Sequence, residues 1–524
     1  MSRSTNSNKN MKKNAIRPYT VMCTDIYLLW ILIVFPLYYA DGYFHLPEKK
    51  ATFWVTSTLV YVVVCLLGAV ITAFSMKENW SMENFKKNIT MTDIFMFGFL
   101  ISNLIALAMS NDVKESWMAT GGRYYGARVL LLVCVVYFLI SRYAWVNQVF
   151  NVAFLIGGNG VCLLATFDYF GMDVLGINQQ MQKWDWYMFI STMGNANTCA
   201  SYVTMALAGA LCYFCVAKSM KAKLFAGISI VNCAMALVTA KSDSAFVGIA
   251  VVVIAMGVMA FEKKIELKSY IIMLALVDTG MLMLYLLRGK YKEHVHMGGM
   301  EAGLPKALNQ PMMLGIILII LLVVYGLLLV LEKRNVKLKK KAMHITFSIV
   351  GVAFIAAMIF LINKLNVFNL FEKAMGMEEN LVVASRGYIY QKTVLSYMEL
   401  PFINKIFGCG QASIRTVLST YFGTELSTAG ISINSAHNHI LDYLIITGLF
   451  GTICYLGTLI SAVKHAFMAV NEDENAVVFV GCVIAYFAQG FFNIEQTNTT
   501  TIFWLMIACC EAVYRKNVMK KEDN

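Results

Sequence analysis

The stretch NSAHNHILDYLIITGLFG, residues 434–451, sets His437, Asn438 and His439 at the end of a polar segment and directly before an apolar run. Ionisable side chains at the border of such a run are costly unless something uses them. An imidazole there can move a proton: unperturbed histidine has a pKa of about 6.5, so its neutral ring accepts one near pH 7. Structural uses compete with this. His437 can cap the helix that follows or bond a backbone carbonyl, and His439, two residues on, faces away from it on a helix. Asp442 stands in the first turn, where the helix dipole alone favours a carboxylate. Other pairings are weaker. His294 and His296 have the spacing of a metal pair without a third ligand nearby, and Cys212 and Cys215 form a CxxC inside an apolar run, where cysteine is usually a small packed hydrophobe.

These side chains need a scaffold, and composition names its class. With 59% apolar and 14% charged residues over 524 positions, the sequence excludes a soluble globular chain. Apolar runs of about 20 residues, each enough to cross roughly 30 Å of hydrocarbon, recur along the whole length. The expectation is an all-α polytopic membrane protein of about 12 to 14 transmembrane helices. Residues 22–363 carry the first eleven spans and 440–513 the last three, with a basic N-terminus at 1–21 and a tail at 514–524. Breaks around 223–239, 244–261 and 268–287 read equally as turns or kinks.

Cations set the orientation, because Lys and Arg in short loops stay on the cytoplasmic side. Dense basic loops such as EKRNVKLKKKAMH (332–344) and the tail YRKNVMKKEDN place both termini inside. The net charge of +12 is then topology and affinity for an anionic inner leaflet, and nucleic acid need not be invoked. The first apolar run lacks a small-residue cleavage site and reads as an uncleaved span. Of 13 cysteines, only Cys409 falls in an outer loop, so no disulfide framework is implied.

Residues 364–439 form the one outer segment with enough polar chain to build a site, and this segment is expected to be the catalytic loop. Within 381–400 the positions of Leu381, Val382, Tyr388, Ile389, Leu395 and Met398 give helical spacing, and Pro401 supplies a stop. Such an amphipathic helix lies along the membrane surface, offering Arg386 and Lys392 to the interface. Gly408 and Gly410 in IFGCGQ suit a tight turn, after which a second short helix runs through Arg415 and Tyr421.

In this order the residues resemble the O-antigen ligase and O-antigen polymerase family of bacterial membrane glycosyltransferases. The likeness rests on Arg386 before an amphipathic helix, Pro401, the turn at Gly408 and Gly410, and Ala-His-Asn at Ala436 to Asn438. Further similar pieces are DGYFHLPEKKATF with Tyr43 and Lys50, GGRYYGAR with Arg123 and Gly126, STMGNANTCASY with Gly194, Asn195 and Asn197, and AQGFFNIEQTNTTTIFW near the end. The sequence departs from the family at TAKSDSAFVG, where many members carry an Arg and this chain has Lys241 and Asp243.

The resemblance implies transfer of a glycan from an undecaprenyl-diphosphate carrier to an acceptor hydroxyl at the outer face of the plasma membrane. The acceptor is a saccharide, lipid or protein. His437 would be the base. Arg386, Arg123 and Lys50 would grip the diphosphate, where pairing near hydrocarbon is strongest; Asn438, Gly408, Gly410, Asn195 and Asn197 would complete the substrate site. Metal-dependent handling of a diphosphate needs clustered carboxylates on the same face. No Asp-x-Asp stands outside, and NEDEN (471–475) is an inner turn, so the expectation is a transferase without metal or other cofactor. Two other readings remain open. A flippase or exporter of lipid-linked saccharides would suit the span count, but it would line a central path with ionisable residues, for which Asp278 is the main mid-depth candidate. The third is an inactive partner in envelope assembly.

Overall fold

The computed structural model describes residues 3–75, 88–121, 123–179, 181–182, 186–262, 264–291, 309–334, 386–428, 430 and 432–519. His294, His296, the eleventh expected span (345–363) and the front of the polar loop (364–385) lie outside these residues.

The protein is an all-α membrane protein. Its long helices are α1 (Arg3–Leu37), α2 (Gly42–Ser75), α3 (Met91–Ala108), α5 (Ala127–Tyr143), α6 (Gln148–Tyr169), α7 (Ala196–Val216), α8 (Met220–Thr239), α9 (Asp243–Phe261), α10 (Leu267–Lys290) and α11 (Pro311–Lys333). The bundle is completed by α16 (Gly448–Ala469), α17 (Ala476–Gly490) and α18 (Thr497–Tyr514). Among the described residues, ten helices are long and apolar enough to cross a membrane; α5, α17 and α18 are shorter or more polar and pack among them. The breaks on either side of α9 are true turns, because Ser242 and Glu266 stand at helix starts with extended backbone.

Burial orders the bundle. In α7, 94% of the spanning window is buried, so this helix is the central post. Small side chains let its neighbours approach: a Cβ on Gly209 would lie 3.0 Å from the Phe154 ring, and one on Gly248 of α9 would lie 2.7 Å from Thr204 Cγ2. Without a hydrophobic drive between helices in lipid, such close packing is what binds them. By contrast, α11 buries only 6% of its window and rides on the outside against α10.

The polar segment before α16 folds into short helices at one end of the bundle: α12 (Arg386–Glu399), α13 (Phe402–Phe407), α14 (Ile414–Thr428) and α15 (His439–Ile446). Pro401 ends the amphipathic helix as expected and at once opens α13, which the sequence had not indicated. Tyr388, Ile389, Leu418, Leu426, Ala436 and Ile445 form a small core of their own, distinct from that of the bundle. The same end carries α4 (Val113–Met118) and a two-residue hairpin, β1 (Phe189–Ile190) against β2 (Gly194–Asn195), pairing Phe189 with Asn195 and Ile190 with Gly194.

The far end is closed by an ionic network. Asp93 accepts from Arg142 at 3.0 Å, from Tyr137 at 3.1 Å and from Arg515. Glu511 meets His465 Nδ1 at 2.8 Å, and the His465 ring stacks on Tyr514 with centroids 4.2 Å apart.

Candidate functional site

His437 sits just before α15 with φ +54°, a left-handed conformation that costs an L-residue about 1–2 kcal/mol. Its surroundings fix the backbone there. Asp442, one turn into α15, accepts from Ser435 Oγ at 2.8 Å and from the Ala436 amide at 2.7 Å, while Ser435 Oγ accepts from the His437 amide at 2.9 Å. Asn438 caps α15, its Oδ1 accepting from the Ile440 and Leu441 amides at 3.0 and 3.2 Å, and its Nδ2 donates to the Phe491 carbonyl at 3.2 Å. The Tyr390 hydroxyl, from α12, donates to that carbonyl at 2.5 Å and to the His437 carbonyl at 3.3 Å.

The imidazole itself is different: among the described residues its ring makes no hydrogen bond. Burial, then the Arg123 charge, then the Arg386 charge push its pKa down to about 4, so at neutral pH the ring is uncharged with a lone pair available. The tertiary fold therefore joins three of the expected residues, from the α4–α5 connection, the start of α12 and the start of α15. Neither arginine forms an ion pair within 4 Å among the described residues. Arg123 donates to Asn434 Oδ1 at 2.5 Å and faces the carboxylates of Asp442 and Glu495 without closing on either.

Beside Arg123 lies a cavity of about 350 Å³, walled by Tyr125, Arg415, Asn434, Asp442 and Glu495 among others. His437 is not in its wall; Arg123 is the link between the ring and the cavity.

The remaining expected residues have other placements. Lys50 is fully buried, its ammonium donating to the Phe35 and Pro36 carbonyls at 2.8 and 2.9 Å, so it caps the end of α1 and stands apart from the two arginines. Gly408 and Gly410 have φ +84° and +96°, and the amides of Cys409 and Gly410 donate to the Ile445 and Ile446 carbonyls at 2.9 and 3.1 Å. A Cβ on Gly408 would lie 2.6 Å from Thr447 Cα, so this turn locks backbone against backbone at the joint between α15 and α16. Asn195 caps α7, and Asn197 Oδ1 accepts from Ser242 Oγ at 3.0 Å. Lys241 lies beside Ser242, with its ammonium 6.0 Å from the Tyr169 ring centre; burial lowers its pKa to about 8.

Residues 312–456 match a family model described as O-antigen ligase. The match spans about a quarter of the chain. No curated protein matches the chain. The matched range contains Arg386, Gly408, Gly410, His437 and Asn438, whereas Arg123 lies outside it. The matched family is one of glycan transfer in the assembly of cell-surface polysaccharide, and the ten long apolar helices make this a multi-pass membrane protein.

Sequence reasoning missed the short connection between α17 and α18 as a structural keystone. Phe491 receives the bonds from Tyr390 and Asn438, and Asn493 donates to the Asn197 carbonyl at 2.9 Å and to Ser201 Oγ at 2.6 Å. Glu495, 6% exposed, places Oε1 3.9 Å from His439 Nδ1. Burial raises the Glu495 carboxyl well above the ordinary range. Among the described residues neither ring nitrogen of His439 has a hydrogen-bond partner. The signal for Glu495 was present: it is a lone acid between two apolar runs.

Proposed function

We propose that the protein transfers a glycan from an undecaprenyl-diphosphate-linked donor to an acceptor hydroxyl at the outer face of the plasma membrane, without a metal ion. The observation that carries this reading is the uncharged His437 ring flanked by two arginines that form no ion pair among the described residues. Arg123 and Arg386 hold the diphosphate, whose negative charge grows as the bond from the anomeric carbon to its oxygen breaks. His437 takes the proton of the acceptor hydroxyl as that oxygen bonds to the anomeric carbon. A diphosphate leaves without help from a strong acid, so no acid is assigned.

Binding and basicity are coupled. The same two guanidinium charges help to depress the His437 pKa, so a bound diphosphate that screens them raises it and makes the ring a stronger base when donor is in place. Lys50, Asn195, Asn197, Gly408 and Gly410 act in this proposal as the frame.

The test is transfer by purified protein in liposomes holding an undecaprenyl-diphosphate oligosaccharide, with and without a chelator. Product in both cases supports the reading, and loss of product on chelation removes its metal-free part. Full activity in His437→Ala removes the base. One observation favours the exporter: Asp278, on α10 and 5% exposed, has a carboxylate oxygen without a hydrogen-bond partner among the described residues. Movement of the lipid-linked saccharide across the bilayer with no new glycosidic bond would decide for it.

A further inference from the structure

A second hollow of about 360 Å³ adjoins the cavity at Arg123, and the two share Glu115, Ala412 and Thr416 in their walls. Its chemistry is different. Asp112, Asn111, Asn404, Ser413, Thr420 and Tyr421 line it, and among the described residues no Lys, Arg or His does. Carboxylates accept from hydroxyls, amides and hydroxyls do both, and Pro401 with the exposed Tyr421 ring presents flat apolar faces. This is a lining for an uncharged polyol with a C–H face. With Asp112 in its wall and no cation to offset it, the lining disfavours phosphate.

The hollow is held rigidly. Ser116 Oγ, on α4, donates to the Gln411 carbonyl at 2.6 Å, and Gln411 Nε2 donates to Asn103 Oδ1 at 2.9 Å. Ala412, on the shared wall, has φ +61°, a strained conformation that persists only where the surroundings impose it. Its volume falls within the range of about 300–1,000 Å³ usual for small-molecule sites.

We propose that this hollow, between α4 and the turn joining α13 to α14, is a saccharide subsite that holds uncharged sugar residues of a substrate while the diphosphate lies at Arg123 and Arg386. The assignment rests on the glycan-transfer reading above and adds the chemistry and place of sugar recognition. The two hollows differ in their cations: Arg123 and Arg415 line one, together with carboxylates, whereas carboxylates, amides and hydroxyls line the other.

The experiment is saturation-transfer NMR on the full-length protein in lipid nanodiscs, with maltotriose and N-acetylchitotriose as uncharged probes and a trimer of galacturonic acid as the anionic one. Wild-type protein should transfer saturation to at least one uncharged trimer and at least several-fold less to the anionic one. Thr420→Trp and Asn111→Trp, which would fill the hollow from α14 and from the turn before α4, should each reduce the signal roughly tenfold. Absence of signal from both uncharged trimers, equal signal from the anionic trimer, or full signal in both Trp variants overturns the subsite. The parent reading fails separately. Saccharide contact that both Trp variants block, in a protein that neither binds the lipid diphosphate nor makes a glycosidic bond, keeps the subsite and ends the transferase; glycan transfer with unaltered acceptor KM in both Trp variants does the reverse.

Discussion

Buried polar groups at the two ends of this bundle are treated in opposite ways. At the far end, Asp93 pairs with Arg142 and Arg515, Arg515 also pairs with Glu511, and Glu511 hydrogen-bonds His465, with Tyr137 and Thr90 bonding further Asp93 oxygens. At the loop end, Arg123 and Arg386 form no ion pair and the rings of His437 and His439 make no hydrogen bond among the described residues. Burying a charge is tolerable when it is paired, and breaking such a pair is what destabilises. The closed network is thus what a structural role requires. The open cluster spends its hydrogen bonds on the backbone around His437 and leaves the chemical groups free, which is the pattern of a site.

The contrast predicts that substitutions at the two ends separate activity from stability. The largest effect is expected for His437→Ala, a loss of about 10²- to 10⁴-fold in transfer rate, the range for a positioned base, with an unfolding midpoint close to wild type. Comparable loss of folded protein in that variant would erase the distinction. At the far end, Asp93→Ala should cost about 3–5 kcal/mol of stability by leaving two guanidiniums without their shared carboxylate, while activity per folded molecule stays near wild type. Denaturation monitored alongside activity checks both halves.

A smaller effect is expected for Arg386→Gln. Losing charge-assisted bonds to a diphosphate is worth about 1.5–3 kcal/mol, so the donor KM should rise roughly 10- to 100-fold with little change in stability. Equal binding of the donor by wild type and variant would detach Arg386 from the site.

The smallest concerns pH. His437 is held neutral down to about 4 in the folded protein, whereas the unfolded chain takes up the proton near 6.5. The folded-state pKa is depressed for a base that charges on protonation, so stability is complete above about 6.5 and is lost as pH falls from there toward 4. His437→Asn should flatten that slope. In kinetics, the acid limb of kcat/KM should lie below that of kcat, because donor binding screens the arginines; limbs at the same pH would show that no such coupling exists.

Much of the fold was legible. Apolar runs gave the spans, and Ser242 and Glu266 at helix starts turned the ambiguous breaks around α9 into turns. The amphipathic helix was placed correctly at its end by Pro401, while α13 was invisible because six residues carry too little periodicity to register. Among site residues, His437 and Arg386 stood out as ionisable groups in a polar segment. Asp442 was legible only as a dipole-favoured acid; that it grips Ser435 and Ala436 depends on how the loop folds back. Lys50 shows the opposite case. Its position beside an apolar run fits an interfacial cation, and only the packing of α2 against the end of α1 turns its ammonium toward two carbonyls.

By itself, the sequence determined that this chain is an all-α membrane protein and roughly where its long apolar helices run, because hydropathy and helix signals are local and additive along the chain. Only the tertiary structure decided that Arg123, more than 260 positions before Arg386, bears on the same imidazole, and that the connection through Glu495 underlies it. Charges act through space, and no local pattern records which distant turns of a bundle end up side by side.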